Sequence, residues 1–429
     1  MTWSSYTRKF TRMTRKLFGG GFALLLMATL LGSCGGGGGA AVRTVLIDYK
    51  HDEFASSFLS YYPKNVAVHP GDTVRFQQAW TGEPHSVTMG RVVETNFEFI
   101  PLFEKYDSEE AARAGGVTEE TIARVNQAGQ KLPGMTDDEG GIYQPGARPC
   151  FITKLADVPD YSDLHENILK GPETKCPTEG KPQPAFTGRQ ALYNSGYIPW
   201  QGDGANEFEL KIADDATPGT YKYFCNYHWL EMSGSVKVVP ESKTIRSAAA
   251  NNRAARAEIN RDAAKPLANV TKEQRASTRP GFKPLAGLEV IEPADGVAAV
   301  SPNVFLPGKI RARAGEPVVW KFQGFAHTVS FNVPAYFPVL TVAKNGNVQY
   351  DKRAQDPVKW KVPEAEQDDE HNSVPRNVDV GEWDGGGGFH STGLLSEGDT
   401  FSVTFTKAGT YPYACAVHPQ MIGQVVVSA

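Results

Sequence analysis

The chain has 429 residues and a formal net charge of −4, which is room for two or three domains with real cores and no basic excess that would point to nucleic acid. With 43 glycines, 29 prolines and only short apolar segments, the composition favours an all-β protein rich in turns. Five cysteines is an odd count that the compartment and the chemistry have to explain.

The first 33 residues read as an export signal. Arg8, Lys9, Arg12, Arg15 and Lys16 form a basic start, and Phe22 to Leu31 is apolar but too short to span a bilayer. The segment ends in Leu31-Gly32-Ser33-Cys34, which resembles the bacterial lipobox. That resemblance implies lipidation of Cys34, a tether of glycines over 34–41 and a location on the outer face of the cytoplasmic membrane. An uncleaved anchor or an ordinary signal peptide, with Cys34 incidental, is the alternative. Cleavage takes the charge from −4 to −9, and an acidic exported chain is a poor nucleic-acid partner. Export also permits disulfides. Cys150 and Cys176 share one loop-rich region and are the natural pair, a loop whose closure contributes about 3 kcal/mol in the chain-entropy view.

A first domain is expected over 42–240. Val42 to Lys50, Ser57 to Tyr62, Asn65 to His69 and Thr73 to Gln77 are short strand-like runs, and His85 follows them. The period then changes. An insertion at about 91–195 carries helix starts at Asp107 with Glu110 and at Thr118, then the two pairing cysteines. Its acidic cluster Asp137-Asp138-Glu139 lacks calcium-loop spacing and reads as solvated surface. The β pattern resumes at Phe208-x-Leu210-x-Ile212 and runs to Cys225. Residues 241–285 are a linker, helical near Ser247 to Ala264, basic, and expected to be solvated.

A second domain over 286–429 repeats the plan. Gly315-Glu-Pro-Val-x-Trp320 matches Gly71-Asp-Thr-Val-x-Phe76, and His327 stands where His85 stood. Tyr411-x-Tyr-x-Cys415-x-x-His418-x-x-Met421-x-Gly423 matches Tyr221-x-Tyr-x-Cys225-x-x-His228-x-x-x-Met232-x-Gly234, each followed by valines. A thiolate, two imidazoles and a thioether in trigonal geometry suit a copper that changes oxidation state with little rearrangement. The candidate sets are His85, Cys225, His228 and Met232, and His327, Cys415, His418 and Met421.

On these residues both halves resemble the cupredoxins, the type 1 blue copper family of plastocyanin, azurin and amicyanin; the second loop is similar to that of amicyanin. The resemblance implies two Greek-key β-sandwiches in tandem and two type 1 copper ions per chain. It also implies that His228 and His418 face solvent, with Trp229 and Leu230, or Pro419 and Gln420, in a docking surface for redox partner proteins. Ser86 or Thr328 follows the upstream histidine where the family often has asparagine, and Asn226 and Ala416 follow the cysteines, so the tuning of the thiolate is particular to this chain.

Copper oxidoreductases built from similar tandems carry a histidine immediately before the type 1 cysteine; here Phe224 and Ala414 stand there, and no His-x-His occurs. His51, His69, His165, His371 and His390 are scattered and read as surface or packing residues. The sequence therefore points to a membrane-tethered, non-enzymatic electron carrier. Copper storage, delivery or resistance is the second class, and an oxidoreductase completed at a subunit interface the third.

Overall fold

The computed structural model describes residues 40–49, 56–79, 83–132, 144–161, 176, 178, 181–198, 206–291, 298–342, 348–366 and 374–429. The signal segment, Cys34, His51, His165, His371 and the acidic cluster at 137–139 lie outside the described residues. Among those described, no helix is long and apolar enough to cross a membrane.

Strands form where apolar and polar residues alternate, because successive side chains point to opposite faces. In the first half these are β1 (Val42–Ile47), β2 (Ser56–Leu59), β3 (Tyr61–Tyr62), β4 (Asn65–Val68), β5 (Thr73–Gln78), β6 (Thr88–Met89), β7 (Cys150–Ile152), β8 (Leu192–Asn194), β9 (Glu207–Lys211), β10 (Gly219–Cys225) and β11 (Trp229–Val238). The second half has β12 (Leu285–Ala286), β13 (Ala299–Pro302), β14 (Phe305–Leu306), β15 (Lys309–Arg313), β16 (Pro317–Phe322), β17 (Ser330–Phe331), β18 (Leu340–Val342), β19 (Val348–Tyr350), β20 (Asn377–Trp383), β21 (His390–Ser391), β22 (Thr400–Phe405), β23 (Gly409–Ala414) and β24 (Ile422–Ser428).

Each half is a pair of sheets with the same strand logic. In the first, β3-β1-β5-β9 faces β4-β11-β10-β6-β8-β7; in the second, β14-β12-β16-β22-β20 faces β15-β24-β23-β17-β21. The parallel pairs β1 with β5 and β4 with β11 recur as β12 with β16 and β15 with β24. The hairpin β10–β11 recurs as β23–β24. Val45, Val74, Phe76, Tyr223 and Val236 fill the first core; Val318, Trp320, Phe401, Tyr413 and Val425 fill the second. Truncating a buried aromatic such as Phe76 or Trp320 to alanine costs roughly 3–5 kcal/mol.

One close approach explains a shared glycine. A Cβ on Gly234 would run into the Tyr223 ring, and one on Gly423 into the Tyr413 ring. In both hairpins the tyrosine two residues before the cysteine lies flat against the glycine two residues after the methionine, which fixes the base of the loop.

The insertion adds helices at Arg91–Lys105, Glu109–Ala114 and Glu119–Gln130. Thr118 caps the third as the sequence suggests, its hydroxyl accepting from Thr121 N–H. The second begins one residue later than expected: Ser108, not Asp107, is its cap, because its hydroxyl reaches Ala111 N–H at 3.0 Å. Strands β7 and β8 lengthen the second sheet, and Cys150 and Cys176 form a disulfide.

The linker departs from expectation. It is one helix, Ala248–Ala276, capped by Ser247, and it is packed rather than solvated. Ala255, Ile259, Ala263 and Val270 recur at helical spacing and are buried with Phe58 and Tyr62 from the first half and Leu288, Val300 and Leu306 from the second. Buried Asp262 accepts from Tyr62 Oη at 2.9 Å and from Ala298 N at 3.3 Å. Beneath the helix, β2 pairs antiparallel with β13, so a two-stranded sheet crosses from one half to the other. The halves are thereby clamped, and the Tyr197 hydroxyl donates to Leu340 O at 3.0 Å at a second contact.

Candidate metal centres

In each half the hairpin loop meets a histidine-bearing segment of the neighbouring strand. Cys225 ends β10, and His85 is held by a bridge to Ile198; Cys415 follows β23, and His327 is bridged to Leu395. The loops turn through left-handed residues, Trp229 at φ 58° and Gln420 at φ 75°. In the second loop Cys415 N–H donates to Met421 O at 2.9 Å and Met421 N–H to His418 O at 3.1 Å, which brings the methionine back beneath the cysteine.

A hydroxyl clasp ties loop to strand identically in both halves. Ser86 Oγ accepts from Asn226 N–H at 2.9 Å, and Thr328 Oγ1 from Ala416 N–H at 2.7 Å. The same two residues donate their backbone N–H to the sulfur, Ser86 to Cys225 Sγ and Thr328 to Cys415 Sγ, each at 3.4 Å. Ser86 and Thr328 therefore do equivalent work.

The donor atoms converge. Cys225 Sγ lies 3.8 Å from His85 Nδ1 and 3.7 Å from His228 Nδ1. Cys415 Sγ lies 3.4 Å from His418 Nδ1, which is 3.0 Å from His327 Nδ1. Met232 and Met421 are buried in the same core clusters as their cysteines. A cation roughly 2.0–2.3 Å from nitrogen and sulfur donors at trigonal angles holds those donors about 3.5–3.8 Å apart; the first set matches that spacing, and the second is drawn tighter, with its two imidazole nitrogens 3.0 Å apart. Both thiols are fully buried. Burial raises a thiol, yet the histidines around each sulfur outweigh it and hold Cys225 and Cys415 well below the ordinary thiol value. Low-lying thiolates facing imidazole nitrogens are the chemistry of a metal site.

The surroundings of the two centres differ. His85 Nε2 lies 3.1 Å from Asp48 Oδ2. Burial opposes the charged ring, but Asp48 and the Cys225 sulfur carry His85 up to about 10. His228 Nε2 lies 3.2 Å from Glu83 Oε2, both largely buried. Among the described residues that Glu83 oxygen has no well-aligned hydrogen-bond donor, and the two groups attract as a charge pair when His228 is protonated. Burial raises Glu83, but His228 and then His85 pull it down to about 2. In the second half, His327 Nε2 is buried without a hydrogen-bond partner among the described residues. Burial, joined by neighbouring His418, lowers His327.

The repeat shows the origin of this difference. Ile47 pairs with Gln78 and Ala286 with Phe322, the corresponding ends of β1/β5 and β12/β16. The next residues are Asp48 at φ 58° and Gly287 at φ 81°, one backbone position in one left-handed conformation. A Cβ on Gly287 would strike His327 Nε2 and Gln323 O. Two residues before the upstream histidine, Glu83 corresponds to Phe325.

The outer edges of the two loops face each other. Glu83, Tyr227 and His228 share a cavity of about 250 Å³ with Phe325, Val417 and His418. Tyr227 packs against both cores, and Glu83 and His418 act on each other electrostatically. The expectation that His228 and His418 face solvent is therefore corrected: His418 is buried, His228 nearly so, because the clamped halves meet loop to loop. Trp229 is half-buried and stacks on Phe224; the side chain of Leu230 lies outside the described residues. Pro419 is half-buried and Gln420 exposed.

His390 is a packing residue between Trp360 and Trp383, and His69 Nε2 bonds Lys243 O at 2.8 Å. Sequence reasoning missed Asp48 and Glu83. Aligning the repeat would have exposed them, as carboxylates in one copy set against glycine and phenylalanine in the other.

Residues 299–428 match the model of the copper binding proteins of the plastocyanin/azurin family. That stretch contains His327, Cys415, His418 and Met421. No curated protein sequence matches the chain. Among solved structures, an oxidized amicyanin mutant is 19% identical, over 28% of this chain and 70% of its own, with a TM-score of 0.16. Oxidized plastocyanin from Dryopteris crassirhizoma is 24% identical over 34% and 100%, with a TM-score of 0.17. A purple cupredoxin from Nitrosopumilus maritimus is 17% identical over 34% and 98%, also at 0.17. The chain is mostly β, with a cupredoxin-like copper-binding domain in its C-terminal region.

Proposed function

We propose that the chain is a two-domain electron-transfer protein that holds one type 1 copper in each of two cupredoxin-like halves. The observation that carries this reading is the pair of thiolate–imidazole clusters, each with a buried methionine, at equivalent places in two sandwiches of matching strand order. For the second half the family match adds support; for the first, the support is its own geometry.

Copper, when bound, supplies a one-electron couple. The residues would supply a fixed cage: Cys225 and Cys415 as soft thiolate donors, the four histidines as borderline donors, and Met232 and Met421 as weak thioether donors. The Ser86 and Thr328 clasps hold loop to strand, and burial of the thiolates excludes water. Little then moves when the charge changes, which favours electron transfer over bond chemistry.

A carrier rather than an enzyme is favoured because Phe224 and Ala414 precede the cysteines. Among the described residues the remaining metal-capable group is Asp48, Glu83 and His85, and its histidine already belongs to the first set. Copper delivery fits less well, since neither thiolate is exposed to an acceptor. Tethering through Cys34 on the outer face of the membrane is supported by the N-terminal sequence; redox proteins as partners are what the resemblance to the cupredoxins implies.

Copper-loaded full chain should hold two copper ions, show intense visible thiolate-to-copper absorption, and bleach and recover reversibly at an electrode. Protein that binds no copper, or copper that is redox-silent, rejects the reading.

A further inference from the structure

We propose that the two centres form an ordered pair, in which an electron passes from the first-half centre to the second-half centre across the cavity they share. This rests on the copper reading above.

The direction follows from charge. Asp48 is fixed: its Oδ1 accepts from Tyr49 N–H and Phe58 N–H at 2.5 Å each, leaving Oδ2 to His85. Glu83 sits against His228 in the cavity wall. Both ligand imidazoles of the first half therefore have a buried carboxylate behind them. Carboxylates behind histidine ligands raise ligand basicity, and buried negative charge favours the more highly charged state of a nearby ion. The first centre is thus held toward the cupric state. In the second half the corresponding residues are Gly287 and Phe325. Gly287 is in a left-handed conformation with its Cβ position blocked by His327 and Gln323 O, so no carboxylate fits there, and Phe325 offers only carbon. Glu83 also reaches His418 across the cavity, but with no carboxylate directly behind its own histidines the second centre is held less toward the cupric state than the first.

The route follows from position. His228 and His418, each bonded on its inner side toward a thiolate sulfur, line one cavity whose wall is otherwise largely aromatic and aliphatic. The step is balanced within the chain: one electron leaves the cuprous state in the first half and reduces the cupric state in the second, with no bond or proton moved.

The test uses full-length, copper-loaded Cys225→Ala and Cys415→Ala proteins, each keeping one centre, titrated by following the visible thiolate-to-copper band. The first centre, alone in Cys415→Ala, should be the harder to reduce, by at least tenfold in the electron-partition constant, which is 59 mV for a one-electron couple. Adding Glu83→Gln should make it easier to reduce; adding Phe325→Glu to Cys225→Ala should make the second centre harder to reduce. These changes lie in different halves, so misfolding of one leaves the other as a test. In the unmutated chain, flash-generated reductant should be followed by internal redistribution at a rate independent of protein concentration. Equal or inverted potentials, an unmoved potential in both carboxylate variants, or redistribution that depends on concentration overturns the proposal. Lack of the visible band in either single-centre protein overturns the copper reading itself, and is seen before any potential is measured.

Discussion

The two halves build the same loop and wall it differently. Around Cys225, both histidines back onto buried carboxylates, Asp48 and Glu83; around Cys415, the equivalent places are Gly287 and Phe325, and His327 Nε2 has no partner among the described residues. The elements that gather the donors, namely the tyrosine–glycine contact at the hairpin base and the Ser86 and Thr328 clasps, are the same in both. On the proposed copper reading, holding the metal and tuning it fall to different parts of the fold: the hairpin loop would do the first, and the end of the first sheet strand together with the segment before the upstream histidine the second. Two halves of matching strand order would then differ in redox character through two residues without a change of ligand.

The sharpest way to break the comparison is to remove one sulfur at a time. Cys225→Ala should abolish the visible band of the first half and leave that of the second, and Cys415→Ala the reverse, read by absorption and copper content. Next in size is Gly287→Ala. It forces a side chain into a left-handed position already filled by His327 Nε2 and Gln323 O, costing roughly 1–3 kcal/mol, and chemical denaturation should show the loss together with a disturbed second centre and an intact first one. Ser86→Ala and Thr328→Val each strip the acceptor from a buried backbone N–H, for about 1–3 kcal/mol; Thr328→Val also removes the 2.8 Å hydrogen bond between Thr328 Oγ1 and Ser330 Oγ, so its loss should be the larger. The smallest effect concerns pH. Glu83 is held down to about 2 from an ordinary 4.5, so in copper-free protein its contribution is present above about 4.5 and is lost as pH falls through 2. Denaturation of copper-free Glu83→Gln should show a deficit at neutral pH that closes across that window, and no such window should exist for Phe325.

Much of this was legible in the sequence because it is local or repeated. The cysteine loops, the alternating strands, the Thr118 cap and the pairing of Cys150 with Cys176 depend on neighbours or on compartment. The arrangement of the halves was not legible in the same way. The stripe Ala255, Ile259, Ala263 and Val270 is visible on inspection, but its partners Phe58 and Leu306 come from different halves of the chain, and small alanines among arginines resemble a solvated helix. Pro266 suggests a stop, yet the helix runs through it to Ala276. The inward turn of His228 and His418 follows from that clamp, so the solvent-facing histidines implied by the resemblance did not carry over. Asp48 lies 37 residues before His85, and a lone aspartate after a strand carries no signal until the two copies are set side by side.

Paramagnetic resonance of the two single-cysteine proteins, with copper counted in each, tests the central claim most directly. The account predicts one copper per chain in each variant with the narrow hyperfine pattern of a thiolate-bound type 1 site, the two patterns distinguishable and summing to that of the unmutated protein. A variant that keeps its remaining cysteine yet shows no copper, or only the broad pattern of a site without thiolate, would contradict it.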